Sequence, residues 1–297
     1  MKREFGGRAT SVTGLYAAAM AATAGLSAGI AVPLAGLPSS NWRWAIAASA
    51  VLALVTLLAW IPQWKGRQHH LSASADSTAR AQSPWTHAIG WYVSLFFALH
   101  SIVFYSLVDW FASYGAAYGI SSDAAGIYLF VYQIVAVATN LGSAPIIRKV
   151  KDQMALGFVC GVLLIIGTIG LLVLPSMAFV WIIFAGLGAG TSMVYSLSLF
   201  ALRTQDHHQA ASLSGMAQFV GYVGAASGPI LVGVLHDLSG AWTAPMIMLI
   251  VASGLAGVFG ALAGRNRVIT DKAASQYSIP DPQGVARRDC SGFAEQS

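Results

Sequence analysis

The stretch whose reading decides the fold is ASLSGMAQFVGYVGAASGPILVGVLHDLSGAW, residues 211–242. No charge interrupts it from Ala211 to Leu235, and that run exceeds the ~20 residues a helix needs to cross a bilayer. It is not uniformly greasy. Ser214, Gln218 and Tyr222 recur at every fourth position and share one helical face, while Gly221, Gly224 and Gly228 allow a second backbone to approach closely. Pro229 removes a backbone donor near mid-span. Carbonyls freed there need neighbouring helices or water, so the pattern predicts a helix inside a bundle and not at its rim.

The rest of the chain obeys the same chemistry. Hydrophobic residues make up 56% of it and charged residues 9%, with a mean hydropathy of +0.66, whereas soluble domains carry about a quarter charged residues. The class is a polytopic membrane protein with an all-α fold. Cys160 and Cys290 provide neither a disulfide framework nor a metal cluster, and no cofactor motif accompanies them. Eight spans can be read, at roughly 12–37, 43–62, 88–110, 123–145, 154–174, 178–200, 212–235 and 242–264. Asn41 and Ser122 are placed as N-caps of the second and fourth. Residues 63–87 are polar and rich in Ser and Ala, which reads as a linker between two bundles, and the tail 265–297 reads as disordered.

Basic residues fix an orientation. With eight alternating spans, every lysine and arginine except Arg43 falls on one side: Lys2, Arg3 and Arg8; Lys65, Arg67 and Arg80; Arg148, Lys149 and Lys151; Arg203; and the five after Gly264. That side is the cytoplasm, which holds both termini and the linker, in a plasma (inner) membrane. The formal charge of +5 therefore reports topology and not nucleic-acid binding.

Residues 13–42, TGLYAAAMAATAGLSAGIAVPLAGLPSSNW, repeat the organising stretch loosely. A hydroxyl residue and glycine lead through small residues to a mid-helix proline, Pro33, and on to Trp42, matching Ser214, Gly215, Pro229 and Trp242. Such repeats build many transporters. The two copies are separated by four spans, so the repeating unit is six helices and the first span stands fifth in its unit.

Particular runs carry a family resemblance. FFALHSIVFYSLVDW followed by GISSDAAG in the third span, LSGMAQFVGYVGAASGP with VLHDLSGAW in the seventh, and the opening KREFGGRATSVTGLY resemble the cyanate and nitroimidazole transporter group of the major facilitator superfamily. The resemblance covers about Lys2 to Gly264 and implies eight transmembrane helices of an expected twelve. Residues 1–62 are then a two-helix remnant of an N-terminal bundle, and 88–264 a C-terminal six-helix bundle. Three departures stand out: the first four helices are absent, His100 replaces the group's usual glutamine, and GSAPIIRKVKD keeps only Gly142 and the basic residues of the superfamily loop motif.

Polar residues inside the spans are the candidate substrate contacts. No carboxylate lies at mid-membrane, which argues against the usual proton-coupled pump. His100 is either bonded to a neighbouring helix or in contact with substrate. Ser101 and Tyr105 share a face, Gln133 and Asn140 stand two turns apart in line, and Tyr195 joins them from the sixth span. For Gln133 and Asn140, bonding between helices is the expected use. Gln218 and Tyr222 are favoured because the resemblance is densest there. Gly221, Gly224, Gly228, Pro229 and Pro33 are assigned to packing and hinges, and Gly186, Gly188 and Gly190 to packing. Enzyme readings fail: Ser227 has no usable base, and the adjacent pairs His69-His70 and His207-His208 do not converge on a metal.

The expected function is secondary transport of a small solute, such as cyanate or a nitroimidazole-like compound, by alternating access. The alternative is a non-transporting membrane fragment or partner-binding bundle. Expected partners are the solute, the lipid bilayer, and the missing helices or a second copy of the chain. Two observations test the topology. A cytoplasm-active reporter fused after Arg80 or Arg267 should be active and one at Ser113 inactive, the reverse pattern refuting eight spans. DNA upstream of Met1 should encode about four further spans.

Overall fold

A computed structural model describes residues 83–150 and 153–269, with isolated helical positions between 23 and 61. The main described elements are six helices: α1 (Ala88–Ala117), α2 (Ser122–Lys149), α3 (Met154–Val173), α4 (Ala178–Leu202), α5 (His207–Ser239) and α6 (Thr243–Gly264). All six are long and apolar enough to cross a membrane. Short 3-10 turns, Pro84–Thr86 and Pro175–Met177, lead into α1 and α4. The spans expected at 12–37 and 43–62, with Asn41 and Pro33, lie almost wholly outside the described residues. The count of eight therefore rests on the sequence.

Local chemistry sets the helix ends. Ser121, one residue earlier than expected, caps α2, its Oγ accepting the Ala124 N–H at 3.3 Å. Asp206 caps α5 by accepting the Gln209 N–H at 2.8 Å, so that helix starts five residues before the span read at 212. Gly240, in the left-handed region at φ 65°, closes α5 by donating its N–H to the His236 carbonyl at 2.8 Å.

Without a hydrophobic force between helices in lipid, close backbone contact must hold the bundle. Gly157 and Gly161 of α3 face Gly260 and Gly257 of α6 so closely that a Cβ on either α3 glycine would collide with backbone. Gly186 and Gly190 of α4 lie against Tyr132 and Ala136 of α2, and Gly188 against Leu164 of α3. The packing reading of those three glycines is thus the structural one.

The position of α5 corrects an expectation. Among the described residues it lies at the rim: 22% of the most apolar window of α5, and of α2, is buried, against 44–56% in the other helices. Its glycines serve one partner. Gly221, Gly224 and Gly228 meet Phe97, Ala98 and Ile102 with Ser106, all on α1. Pro229 does not break the helix, and Trp110 of α1 donates its indole N–H to the Pro229 carbonyl at 2.9 Å. Among the described residues α1 is thus the main partner of α5, where several neighbours were expected.

A polar knot joins the helix ends on the side where α1 begins. Buried Arg203, the C-cap of α4, donates from Nε to the Ala263 carbonyl at 2.8 Å, and from one terminal nitrogen to Gly264 O at 2.8 Å and Gln153 Oε1 at 2.7 Å. Gln153 in turn donates to the Val150 carbonyl at 3.2 Å. The chain leaving α6 folds back over this knot: Ile269 is buried, and its N–H donates to the Arg203 carbonyl at 3.0 Å. Order thus extends past Arg265, where the disordered tail was expected to begin.

The glycine seams predict opposite signs for two substitutions. Gly161→Val should lower the stability of the detergent-solubilised chain by about 1–3 kcal/mol through overpacking. Gly142→Ala, where a Cβ meets nothing within 4 Å, should raise it by up to about 1 kcal/mol through helix propensity. Thermal unfolding measures both, and equal effects would refute the seam.

Candidate substrate-binding face

The uncovered sides of α2 and α5 leave part of α1 open between them, and most candidate residues line this region. Phe97 of α1 sits against Gly221, its ring edge-on to Tyr222 with centroids 5.7 Å apart. Tyr222 is 41% exposed and Tyr105, two turns along α1 from Phe97, is 39% exposed. Both rings are therefore partly exposed. Gln218 is half-buried, and its Nε2 donates to Ser214 Oγ at 2.7 Å, so the helical face read from the sequence is joined by a side-chain bond.

His100 lies one turn deeper. It is 3% exposed, with its ring 5.3 Å from those of both Phe96 and Phe97. Its Nε2 is 3.3 Å from Ser196 Oγ on α4. The Ser196 hydroxyl already donates to helix carbonyls, Ser192 O at 2.8 Å and Met193 O at 2.9 Å. Where the Ser196 hydrogen stays on its own helix, Nε2–H donates to Oγ and the acceptor of the neutral imidazole is Nδ1. That atom is buried without a partner. Both sequence readings therefore apply to the one ring: Nε2 bonds a neighbouring helix, and Nδ1 is available.

Two residues are placed differently. Gln133 does not bond another helix among the described residues; its Oε1 is buried and unpartnered, which keeps it a candidate. Tyr195 is fully buried, and its hydroxyl donates to Gln153 O at 3.0 Å and Gly260 O at 3.2 Å. It ties α3, α4 and α6 together, and its aromatic edge packs on Phe96 at 5.4 Å. Sequence reasoning missed Gln153 and Ser196. A glutamine in a short loop and a serine among many on α4 carry no periodic signal; only the fold brings them to Arg203 and His100. No cluster of three or more metal-ligating side chains occurs among the described residues.

Six spanning helices, seams of glycine and a polar, aromatic strip on an open face define a helical membrane protein of the transporter class. The sequence from residue 7 to 226 matches the Major Facilitator Superfamily, and the chain belongs to that family. It is 34% identical over 269 residues to the 2-nitroimidazole transporter of Escherichia coli (strain K12), covering 91% of this chain and 68% of that protein. It is 36% identical over 257 residues to the uncharacterized transporter YycB of Bacillus subtilis (strain 168), with coverage of 86% and 63%. The cyanate transport protein CynX of E. coli (strain K12) is 27% identical over 241 residues, with coverage of 81% and 62%. The chain thus spans about two thirds of the length of these relatives, and the resemblance to the cyanate and nitroimidazole transporter group holds.

Tyr195→Phe separates the structural tyrosine from the candidate contacts. Losing its donor should lower stability by about 1 kcal/mol while leaving the KM of solute uptake unchanged. A raised KM at unchanged stability would return Tyr195 to the substrate contacts.

Proposed function

We propose that this chain carries a solute-binding half of a secondary transporter. In this reading it moves a small, neutral, nitrogen-containing planar solute of the 2-nitroimidazole type across the plasma membrane by alternating access, with both termini and residues 63–87 in the cytoplasm. The observation that carries the proposal is the unpartnered acceptor Nδ1 of His100, held beside aromatic rings that end at the exposed face of Tyr222. A buried polar atom in a bilayer is costly unless a ligand or water meets it. An N–H donor on a flat ring meets it while stacking on aromatic faces.

Charge favours this solute over cyanate. Arg203 is the one lysine or arginine from Met154 to Gly264, and it is engaged in the knot at the helix ends. No cation is thereby offered to an anion at mid-membrane by α3 to α6. His100, Tyr105, Gln133, Gln218 and Tyr222 are the proposed contacts. No chemistry is performed on the solute, so no cofactor is needed, and rocking of one bundle against the other exposes the site to each side in turn.

The test is uptake of labelled 2-nitroimidazole into vesicles containing the full chain, with cyanate in parallel. Gln218→Ala should reduce uptake by on the order of tenfold or more at unchanged membrane abundance. A fall in abundance would instead assign Gln218 to helix packing. His100→Gln, which restores the group's residue and retains an acceptor, should preserve uptake. Cyanate uptake without nitroimidazole uptake would refute the neutral-solute reading.

A further inference from the structure

Asn140 on α2 has a side chain that packing does not explain. It is 2% exposed, and its Oδ1 has no hydrogen-bond partner. The other polar side chains of that turn are satisfied within the helix: Thr139 Oγ1 donates to Val135 O at 2.6 Å and Ser143 Oγ to Thr139 O at 2.7 Å. Asn140 alone keeps an unmet acceptor, against the expectation that it bonds another helix.

Its depth can be read from the glycine contacts. Gly186 lies against Tyr132 and Gly190 against Ala136, so α2 and α4 run parallel in constant register here. One turn further, Asn140 comes level with Val194, two residues before Ser196. Ser196 is the residue that meets His100. At the helical rise, Asn140 and His100 thus differ in depth by about 3 Å. They stand on different helices, and α1 and α2 meet nearer the far end through Phe104 and Tyr132, whose rings lie 5.5 Å apart. Two buried, unmet acceptors thus stand at about one level, carried by two helices that both pack on α4.

We propose that Asn140 is a further solute-binding residue, which pairs with His100 to hold the two edges of one planar, N–H-bearing solute. The proposal deepens the functional reading above and rests on it for the identity of the solute, but not for the position of the site. His100 takes the N–H edge through Nδ1. The Asn140 amide, which both accepts and donates, takes the other edge, including a nitro or carbonyl oxygen through its NH2.

The experiment uses the full chain carrying Cys290→Ser and Asn140→Cys, reconstituted in nanodiscs and treated with a small membrane-impermeant methanethiosulfonate. Cys160, fully buried, serves as the unreactive internal control. Asn140→Cys should label at least ~10-fold faster than that background, and saturating 2-nitroimidazole should slow it several-fold. If Tyr222→Cys labels and Asn140→Cys does not, the inference is overturned while the site on α1 and α5 stands. If both label and neither is protected, Asn140 still lines the solute path and only the nitroimidazole reading fails. A second variant guards against misfolding. Asn140→Leu removes the unmet acceptor at similar volume, so Tm should hold or rise while the Kd for 2-nitroimidazole weakens by about tenfold. A Tm lowered by more than about 5 °C with Kd unchanged would make Asn140 a packing residue and refute the proposal.

Discussion

Buried Arg203 holds the helix ends of this bundle together. A guanidinium at the edge of a bilayer cannot remain without acceptors, and here the last carbonyls of α6, at Ala263 and Gly264, together with the Gln153 amide supply them. Those carbonyls are the ones a helix leaves unpaired at its C-terminus, where the macrodipole is negative and a cation is favoured. One side chain thus solves two problems, its own charge and the open end of α6. Because Gln153 also bonds back to Val150, and its carbonyl receives the Tyr195 hydroxyl, the ends of α2, α3, α4 and α6 are tied together. Gly264 is part of the same solution: a Cβ there would press on Gln153 O and the Tyr195 hydroxyl.

With those ends fixed, glycine contacts set how closely each helix pair can approach, and so set depth. The pair α3 and α6 meets backbone to backbone at Gly157, Gly161, Gly257 and Gly260. In α1 and α5 the contact is a ring in a notch, Phe97 against Gly221. Two indole N–H groups near the far end are satisfied, Trp110 by Pro229 at 2.9 Å and Trp181 by Leu174 at 3.0 Å, whereas the buried Tyr132 hydroxyl is not. Unmet polar atoms are few, and their positions carry information.

Much of the fold was legible because bilayer thickness and hydrogen-bond completeness impose long uncharged runs, and all six described helices coincide with spans read from the sequence. Boundaries were less legible. The residues from His207 to Ala211 lie ahead of the span read at 212, yet the Asp206 cap starts α5 with them; those from Ile146 to Lys149 look like a basic loop, yet they finish α2. The rim position of α5 among the described residues was not legible at all, since a run of small residues does not say how many neighbours it serves. At the site, the face of Ser214, Gln218 and Tyr222 followed from helical spacing alone. The division between Tyr195, whose hydroxyl is engaged, and His100, whose Nδ1 is not, depends on partners one to three helices away in sequence.

The distribution of satisfied and unsatisfied groups bears on the kind of solute. An anion site inside a membrane needs a fixed positive charge or several converging donors, because desolvating an anion costs far more than desolvating an amide. What the described bundle offers at the depth of His100 is the reverse: an imidazole acceptor, an amide oxygen and the faces of Phe96 and Phe97. While its hydroxyl hydrogen stays on the Ser192 and Met193 carbonyls, Ser196 accepts from Nε2 and keeps that polarity. For His100 to donate through Nδ1, the Ser196 hydroxyl must turn from those carbonyls to Nε2 and give up its bonds within its own helix. In the proposed site, the serine behind the histidine thereby favours solutes that bring their own N–H, and it does so without touching them.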